Sequence, residues 1–494
     1  MTLSKAHKTI ILEYLVLLLI MGLAFYLAFI PHRSYPYPVH VDEWVHLAYS
    51  KAILQTGDIT FPNPFFGDSI VTPGADLEVG FHLFFAVFQQ LTGLSWMTIF
   101  RYFPGIIFVF TILSVYIFAK REGFGLPAAF FTCLIPTTVG ILGPAFLVPV
   151  AMGLLFTPLL LFLAFNFRTI RSYLAIFLLI AFLLAIHAPS ALSPIIILTP
   201  YILLNIKGNF KHSLGLLLTF GLPFLLIFPW ITGLLLPTAR SLLQPQLPNE
   251  FVQLPTIIRT YGYIPTGFCL LGAFVLAIKG GQKNYGLSLG LLAILLMLVV
   301  FFVFHYGVAI MYERGLMYAM LMISIVAGAG LASLGRLKLP AKLTLSPKIP
   351  TAGQIVGIFL CLVAVGVILA TAIPDRQHTP YYSLIDKEDY QAFVWIRDNI
   401  DTEYSKAILD PWKATAFTAI TSRTVYSRIH TAPTQRDEIA YDFLRNGSDN
   451  TTFLRENGIS LVYTRFVDKG VLRTVDSTNP DLMKVADNIY VTKE

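Results

Sequence analysis

Four stretches of this chain, residues 9–30, 102–119, 214–233 and 355–373, are long, apolar and nearly free of charge. A helix rises about 1.5 Å per residue, so ~20 such residues cross the ~30 Å hydrocarbon layer of a bilayer. Only helices and closed barrels can bring a backbone through that layer with every peptide group paired. Runs of this length read as helices rather than as barrel strands. The rest of the composition agrees: 56% of the 494 residues are hydrophobic and 13% charged, against about a quarter charged in soluble domains. The first run is expected to stay on the protein, because it is too long for a signal peptide and is followed by Pro31-His32-Arg33 rather than a small-residue cleavage site.

The hydropathy pattern predicts an α-helical polytopic membrane protein of about eleven spans: 9–30, 101–119, 126–143, 148–166, 172–187, 190–205, 213–233, 262–279, 285–305, 314–334 and 352–374. With a cytoplasmic N-terminus, the inner connections hold fourteen Lys and Arg and the outer ones six: Arg33, Lys51, Arg101, Arg240, Arg259 and Arg314. The positive-inside rule selects that orientation. The expected organisation is a membrane domain over 1–374, including a first outer loop at 31–100, and a small extracytoplasmic α/β domain over 375–494. In the second domain, 387–399 and 435–445 have helical spacing, and 407–409 and 460–463 look like buried strands. The sequons at Asn446 and Asn450 agree with an outer location. The expected setting is a multi-pass protein of the cell membrane. The net charge of +7 sits on the inner rim and forms no basic patch suited to nucleic acid. Cys133, Cys269 and Cys361 lie inside apolar runs and imply neither a disulfide framework nor a zinc site.

The outer loop carries the chemistry. Residues 42–55 read as a short helix after the extended Tyr35-Pro-Tyr-Pro, 57–73 as a Pro/Gly/Asp-rich loop, and 80–91 as an apolar helix lying along the membrane surface. The loop acids are Asp42, Glu43, Asp58, Asp68, Asp76 and Glu78. Asp42 stands where a helix begins, where a carboxylate serves as a cap. His46 is four residues on and shares its face, and that pair could hold a metal or position a base.

Asp42-Glu43 directly after the first span resembles the acidic signature of the GT-C glycosyltransferases, membrane enzymes that use polyprenyl-phosphate-linked sugars. Gly80-Phe-His82, Leu91-Thr-Gly93, Arg101-Tyr-Phe-Pro104, Lys120-Arg121-Glu-Gly123, His187-Ala-Pro-Ser and Tyr312-Glu313-Arg314 are similar to further short motifs of that group. So are Trp395-Ile-Arg-Asp-Asn, Ser422-Arg-Thr-Val-Tyr426 and Asn457-Gly-Ile-Ser-Leu-Val-Tyr463 in the tail. Two departures separate the chain from the oligosaccharyltransferase branch. It has Asp410-Pro-Trp412-Lys in place of Trp-Trp-Asp-Tyr-Gly, and residues 137–147 contain no acid that could complete a metal site. The resemblance therefore favours the branch that transfers single sugars, in which a divalent metal is often unnecessary; an oligosaccharide donor is the alternative.

What the resemblance implies is transfer of a sugar from a polyprenyl-phosphate donor to a lipid, glycan or protein acceptor at the outer membrane face. Asp42 is the expected base, with Glu43 as its partner. Arg314 is the expected clamp on the donor phosphate, since its fork matches phosphate oxygens, with Arg101, Arg240, Arg259 and His305 behind it. His46, Glu78, His82, His187 and Tyr312 are the expected substrate-orienting residues. Plainer readings stand beside these: snorkelling or pairing with Glu313 for Arg314, span entry for Arg101, structural roles for His82 and His187, and an aromatic belt for Tyr312. A transporter, or a protein that only binds a lipid-linked glycan, is the competing class. Transporters usually carry ionisable residues at mid-span, and the expected spans have none at their centres.

Overall fold

A computed structural model describes residues 5–72, 78–243, 252–336 and 352–493. Asp76 lies outside them, as does the side chain of Arg240. The chain divides into two compact units. One comprises Met1–Ser34 and Arg101–Pro380; the other joins Tyr35–Phe100 to Tyr381–Glu494. The expected division placed the whole outer loop with the membrane spans; by packing, most of it belongs with the C-terminal segment.

The first unit is helical. Among the described residues, eight helices are long and apolar enough to cross a membrane, or nine if a bent pair counts as one. Eleven were expected, and two of those depart from the expectation. The run at 126–143 is helical only over Gly125–Cys133; Pro136 and the glycines at 140 and 143 follow, and the backbone turns irregular, with a single bridge between Thr138 and Ile141. Proline lacks the amide a helix needs and pushes its predecessor out of the helical region. The second is Ile170–Ile186, apolar but only 17 residues long. The bent pair is Leu254–Tyr261 and Tyr263–Lys279, which turn by 102° at Gly262, a residue with φ of 112°.

One close helix contact rests on glycine. A Cβ on Gly272 would lie 1.9 Å from the Val326 carbonyl oxygen, and one on Gly330 would lie 2.2 Å from that of Phe268. The helices Tyr263–Lys279 and Ala309–Leu334 thus meet backbone to backbone, as helices do where lipid supplies no hydrophobic drive. Ala309–Leu334 is the most buried of the long helices. In the last turn of Ala352–His378, Arg376 is 5% exposed and donates to the carbonyls of Leu134 and Thr260 and to Asp375, tying the irregular stretch after Cys133 to this helix.

The second unit is α/β. Its five-stranded sheet runs in the order Thr424–Val425, Lys406–Ile408, Leu461–Tyr463, Ile489–Thr492, Leu482–Ala486. The first three strands are parallel, with Ala407 opposite both Val425 and Leu461; the last two pair antiparallel. Ala407, Ile408, Leu461, Val462 and Tyr463 are all buried, as continuous apolar strands covered on both faces should be. The predicted helices at 387–399 and 435–445 form over Lys387–Asn399 and Gln435–Arg445, each opened by a capping box, from Asp386 and Thr434.

The loop residues of this unit fold as two helices, Val41–Thr56 and Val79–Thr92, and a short hairpin of Phe61–Pro62 with Ile70–Val71. Val79–Thr92 buries Phe81, His82, Phe85 and Ala86 and exposes Leu83, Val87 and Leu91. Val41–Thr56 packs on Ala414–Thr421, where Lys51 donates to the carbonyls of Ala419 (2.7 Å) and Ile420 (3.2 Å). These carbonyls end a helix, and a cation there meets the negative end of its dipole.

Candidate active site and its fold relatives

The helix Val41–Thr56 begins at His40, which has extended backbone angles and accepts a hydrogen bond from the Asp42 amide through Nδ1 at 3.1 Å. Glu43 closes the cap. Its carboxylate accepts from the amides of Val39 (2.8 Å) and His40 (3.0 Å), and the residue is fully buried. The capping role weighed for Asp42 is thus filled by His40 and Glu43 together.

The Asp42 carboxylate instead points at the C-terminal part of the unit. Its Oδ1 is 2.8 Å from Nε2 of His430 and 3.8 Å from Nδ1 of His40. The Asp42 side chain is 17% exposed and that of His430 47%, so the pair is shielded on the acid side and open on the histidine side. Tyr382 packs its ring 5.2 Å from that of His40 and stacks on Trp412, with centroids 6.2 Å apart. Burial, reinforced by the Asp42 charge, pushes the Tyr382 phenol up. Arg428 lies 4.0 Å over the Phe65 ring. Burial pulls its guanidinium down from the ordinary range, opposed by Tyr49 and Asp42. A carboxylate, an imidazole, a guanidinium and two stacked aromatic rings therefore gather around the start of one helix.

His46, Glu78 and His82, expected to orient substrate, come together one turn further along. Nδ1 of His46 is 2.9 Å from Nε2 of His82 and 3.7 Å from the Glu78 carboxylate. The other expected residues belong to the first unit. Arg314 sits on Ala309–Leu334 with its guanidinium 3.9 Å from Glu313, matching the pairing reading, and it is an electrostatic neighbour of His187. His187 is buried between two helices, with Nδ1 2.7 Å from the Ser190 hydroxyl. Tyr312 donates to the Val252 carbonyl at 2.6 Å and stacks on Phe301. Arg101 lies over the rings of Phe29 and Tyr102. Arg259 is exposed in the last turn of Leu254–Tyr261. His305 ends Gln282–Phe304 in a left-handed conformation.

Sequence reasoning did not find His430, Arg428, Tyr382 or Trp412 as neighbours of Asp42. His430 is 388 positions away, and no local pattern joins the two. Asp410, read only as a departure from an oligosaccharyltransferase motif, is buried and accepts from Tyr441, Val467 and Trp412, which fixes the loop that carries Trp412.

Known folds match this one over almost its whole length. The oligosaccharyltransferase of Archaeoglobus fulgidus superimposes with a TM-score of 0.62 at 12% identity, over 91% of this chain and 69% of that one. ArnT from Cupriavidus metallidurans bound to undecaprenyl phosphate gives 0.55 at 15%, over 99% and 98%. The chain has the GT-C glycosyltransferase fold. The mycobacterial arabinofuranosyltransferase AftD matches as well, with a TM-score of 0.59 at 16% identity, over all of this chain and 40% of that one. No protein-family model matches the sequence, and no curated protein matches it.

Proposed function

We propose that this GT-C-fold protein is a glycosyltransferase that moves a single sugar from a polyprenyl-phosphate donor to an acceptor hydroxyl or amine at the extracytoplasmic membrane face. The observation that carries this reading is the shielded Asp42 carboxylate held 2.8 Å from His430 at the start of a capped helix. A base must be fixed in direction and partly protected from water to accept a proton efficiently. In the proposed reaction the acceptor oxygen or nitrogen attacks the anomeric carbon while the bond from that carbon to the phosphate oxygen breaks. The acceptor proton passes to Asp42, and polyprenyl phosphate leaves with the bonding pair. His430 holds the carboxylate's direction, and the Tyr382–Trp412 stack offers a sugar ring an apolar face. Arg314 is assigned to the donor phosphate.

Three further points support the reading. Neighbours of this fold include ArnT bound to undecaprenyl phosphate, AftD and an oligosaccharyltransferase. Stretch 137–147, which has no acid, favours a single-sugar donor over an oligosaccharide donor. The distribution of Lys and Arg favours an outer location for the loop and tail.

The test supplies membranes containing the full chain with polyprenyl-phosphate sugars and reads glycan transfer. Asp42→Asn should lose about 10²–10⁴-fold in rate, and His430→Ala should lose less. Arg314→Ala should raise the donor concentration needed for half-maximal rate. Wild-type transfer by folded Asp42→Asn would overturn the base assignment. Sugar or ion uptake by liposomes holding only this protein, without transfer, would favour the transporter reading.

A further inference from the structure

His46, Glu78 and His82 form a set of three metal-ligating groups whose donor atoms all lie within 4.8 Å of one another. His46 comes from Val41–Thr56. Glu78 is the residue that opens Val79–Thr92, and His82 stands four positions on, on the same face, its amide bonded to the Glu78 carbonyl at 3.2 Å. We infer that these three side chains bind a zinc-class divalent ion, which pins the helix that bears Asp42 to the helix beside it.

The separations carry the argument. Zinc holds imidazole nitrogen and carboxylate oxygen at about 2.0–2.2 Å, which puts neighbouring ligand atoms about 2.8–3.6 Å apart in octahedral or tetrahedral geometry. Two of the three edges are 2.9 Å from His46 Nδ1 to His82 Nε2 and 3.7 Å from the same nitrogen to Glu78 Oε2, and the third, from Glu78 to His82, lies within 4.8 Å. The second edge is too long for a hydrogen bond, yet it and the first lie within a few tenths of an ångström of ligand spacing. The chemistry of the donors selects the ion. Two imidazoles and one carboxylate suit zinc and its neighbours, whereas calcium and magnesium prefer all-oxygen sets.

Burial and packing make the set rigid. His46 and His82 are 5% and 1% exposed. The His46 ring meets Phe81 at 5.0 Å, and Tyr49 sets its edge against His82 at 5.1 Å. Glu78 keeps a quarter of its side chain exposed, which leaves an entry path and room for a water as a further ligand. The sequence reading paired Asp42 with His46 as a possible metal site; the structure surrounds His46 with Glu78 and His82 and turns Asp42 to His430. The ion is therefore a positioning element, bound one helical turn from the proposed base. It stands whether or not the chain transfers sugar, because its readout is metal itself.

The experiment uses the full chain purified in detergent, stripped with chelator and titrated with zinc(II) against a chromophoric competitor, and in parallel with cobalt(II) read by its visible absorption. One zinc per chain is expected. Affinity should fall at least 100-fold in His82→Gln and in Glu78→Gln and stay at the wild-type value in Asp42→Asn. Zinc should raise the melting temperature of the wild type but not of His82→Gln, which separates lost binding from lost folding. Absence of zinc and cobalt binding by the wild type, or wild-type affinity in folded His82→Gln, would overturn the site.

Discussion

Asp389 is the residue whose loss should cost the second unit most for the smallest change. Its side chain is 2% exposed. One carboxylate oxygen accepts from Lys413 Nζ at 2.8 Å, Arg465 Nη1 at 2.7 Å and the Tyr463 hydroxyl at 2.9 Å. The side chains of Lys413 and Arg465 are 3% and 6% exposed, so both cations depend on the acids around them. Asp389→Asn keeps the shape and removes the charge. Arg465 retains Asp386 and Glu388, but Lys413 is left buried beside a neutral amide. Breaking a buried pair from one side costs about 3–5 kcal/mol, so about 4 kcal/mol is expected here. With a urea dependence of about 2 kcal/mol per molar, the unfolding midpoint should drop by about 2 M. Pulse proteolysis of the full chain in detergent across a urea series, followed through a C-terminal tag, reads that midpoint. Asp398→Asn is the control, an exposed partner of the exposed Arg397, and it should leave the midpoint in place. A drop below about 0.5 M for Asp389→Asn would refute the claim that the network is dry and mutually dependent.

Two further outcomes follow from the packing. Burial brings the Lys51 ammonium down to about 8 from an ordinary 10.5, so the folded protein gives up this proton before the unfolded chain does. Its contribution to stability is complete above 10.5 and is lost as pH falls through 8; the urea midpoint of the wild type, measured relative to Lys51→Met, should therefore climb between pH 8 and 10.5. A flat difference across that window would count against burial as the cause. In the helical unit, Gly272→Val drives a side chain into the Val326 carbonyl and should lower the melting temperature in detergent, an overpacking cost of about 1–3 kcal/mol or more. Gly267→Ala, which meets open space, should not.

Local periodicity made much of this architecture legible. The helices at 42–55, 80–91, 387–399 and 435–445 and the strands near 407 and 461 all form where spacing placed them. Apolar content misled at 126–143, because hydropathy does not register Pro136 and two glycines as an interruption. At the candidate site the sequence carried half the information. Glu43 three positions after His40 is a capping-box spacing, and that signal was available. The partnership of Asp42 with His430 and its closeness to Arg428 were not, since they arise only when segments hundreds of positions apart meet in one unit. The gathering of Glu78 and His82 around His46 likewise depends on how two helices dock, which no single helix announces.

The unit that holds Asp42 is written in two instalments, 35–100 and 381–494. A ribosome adding about 5–20 residues per second needs on the order of tens of seconds to pass from the first to the second. During that interval the Asp42 helix has neither His430 nor the helix end that receives Lys51. A nascent chain therefore carries its proposed base long before it can orient it, and a chain cut short before residue 430 never can. An oriented Asp42, on this arrangement, is a property only of molecules whose synthesis has passed residue 430.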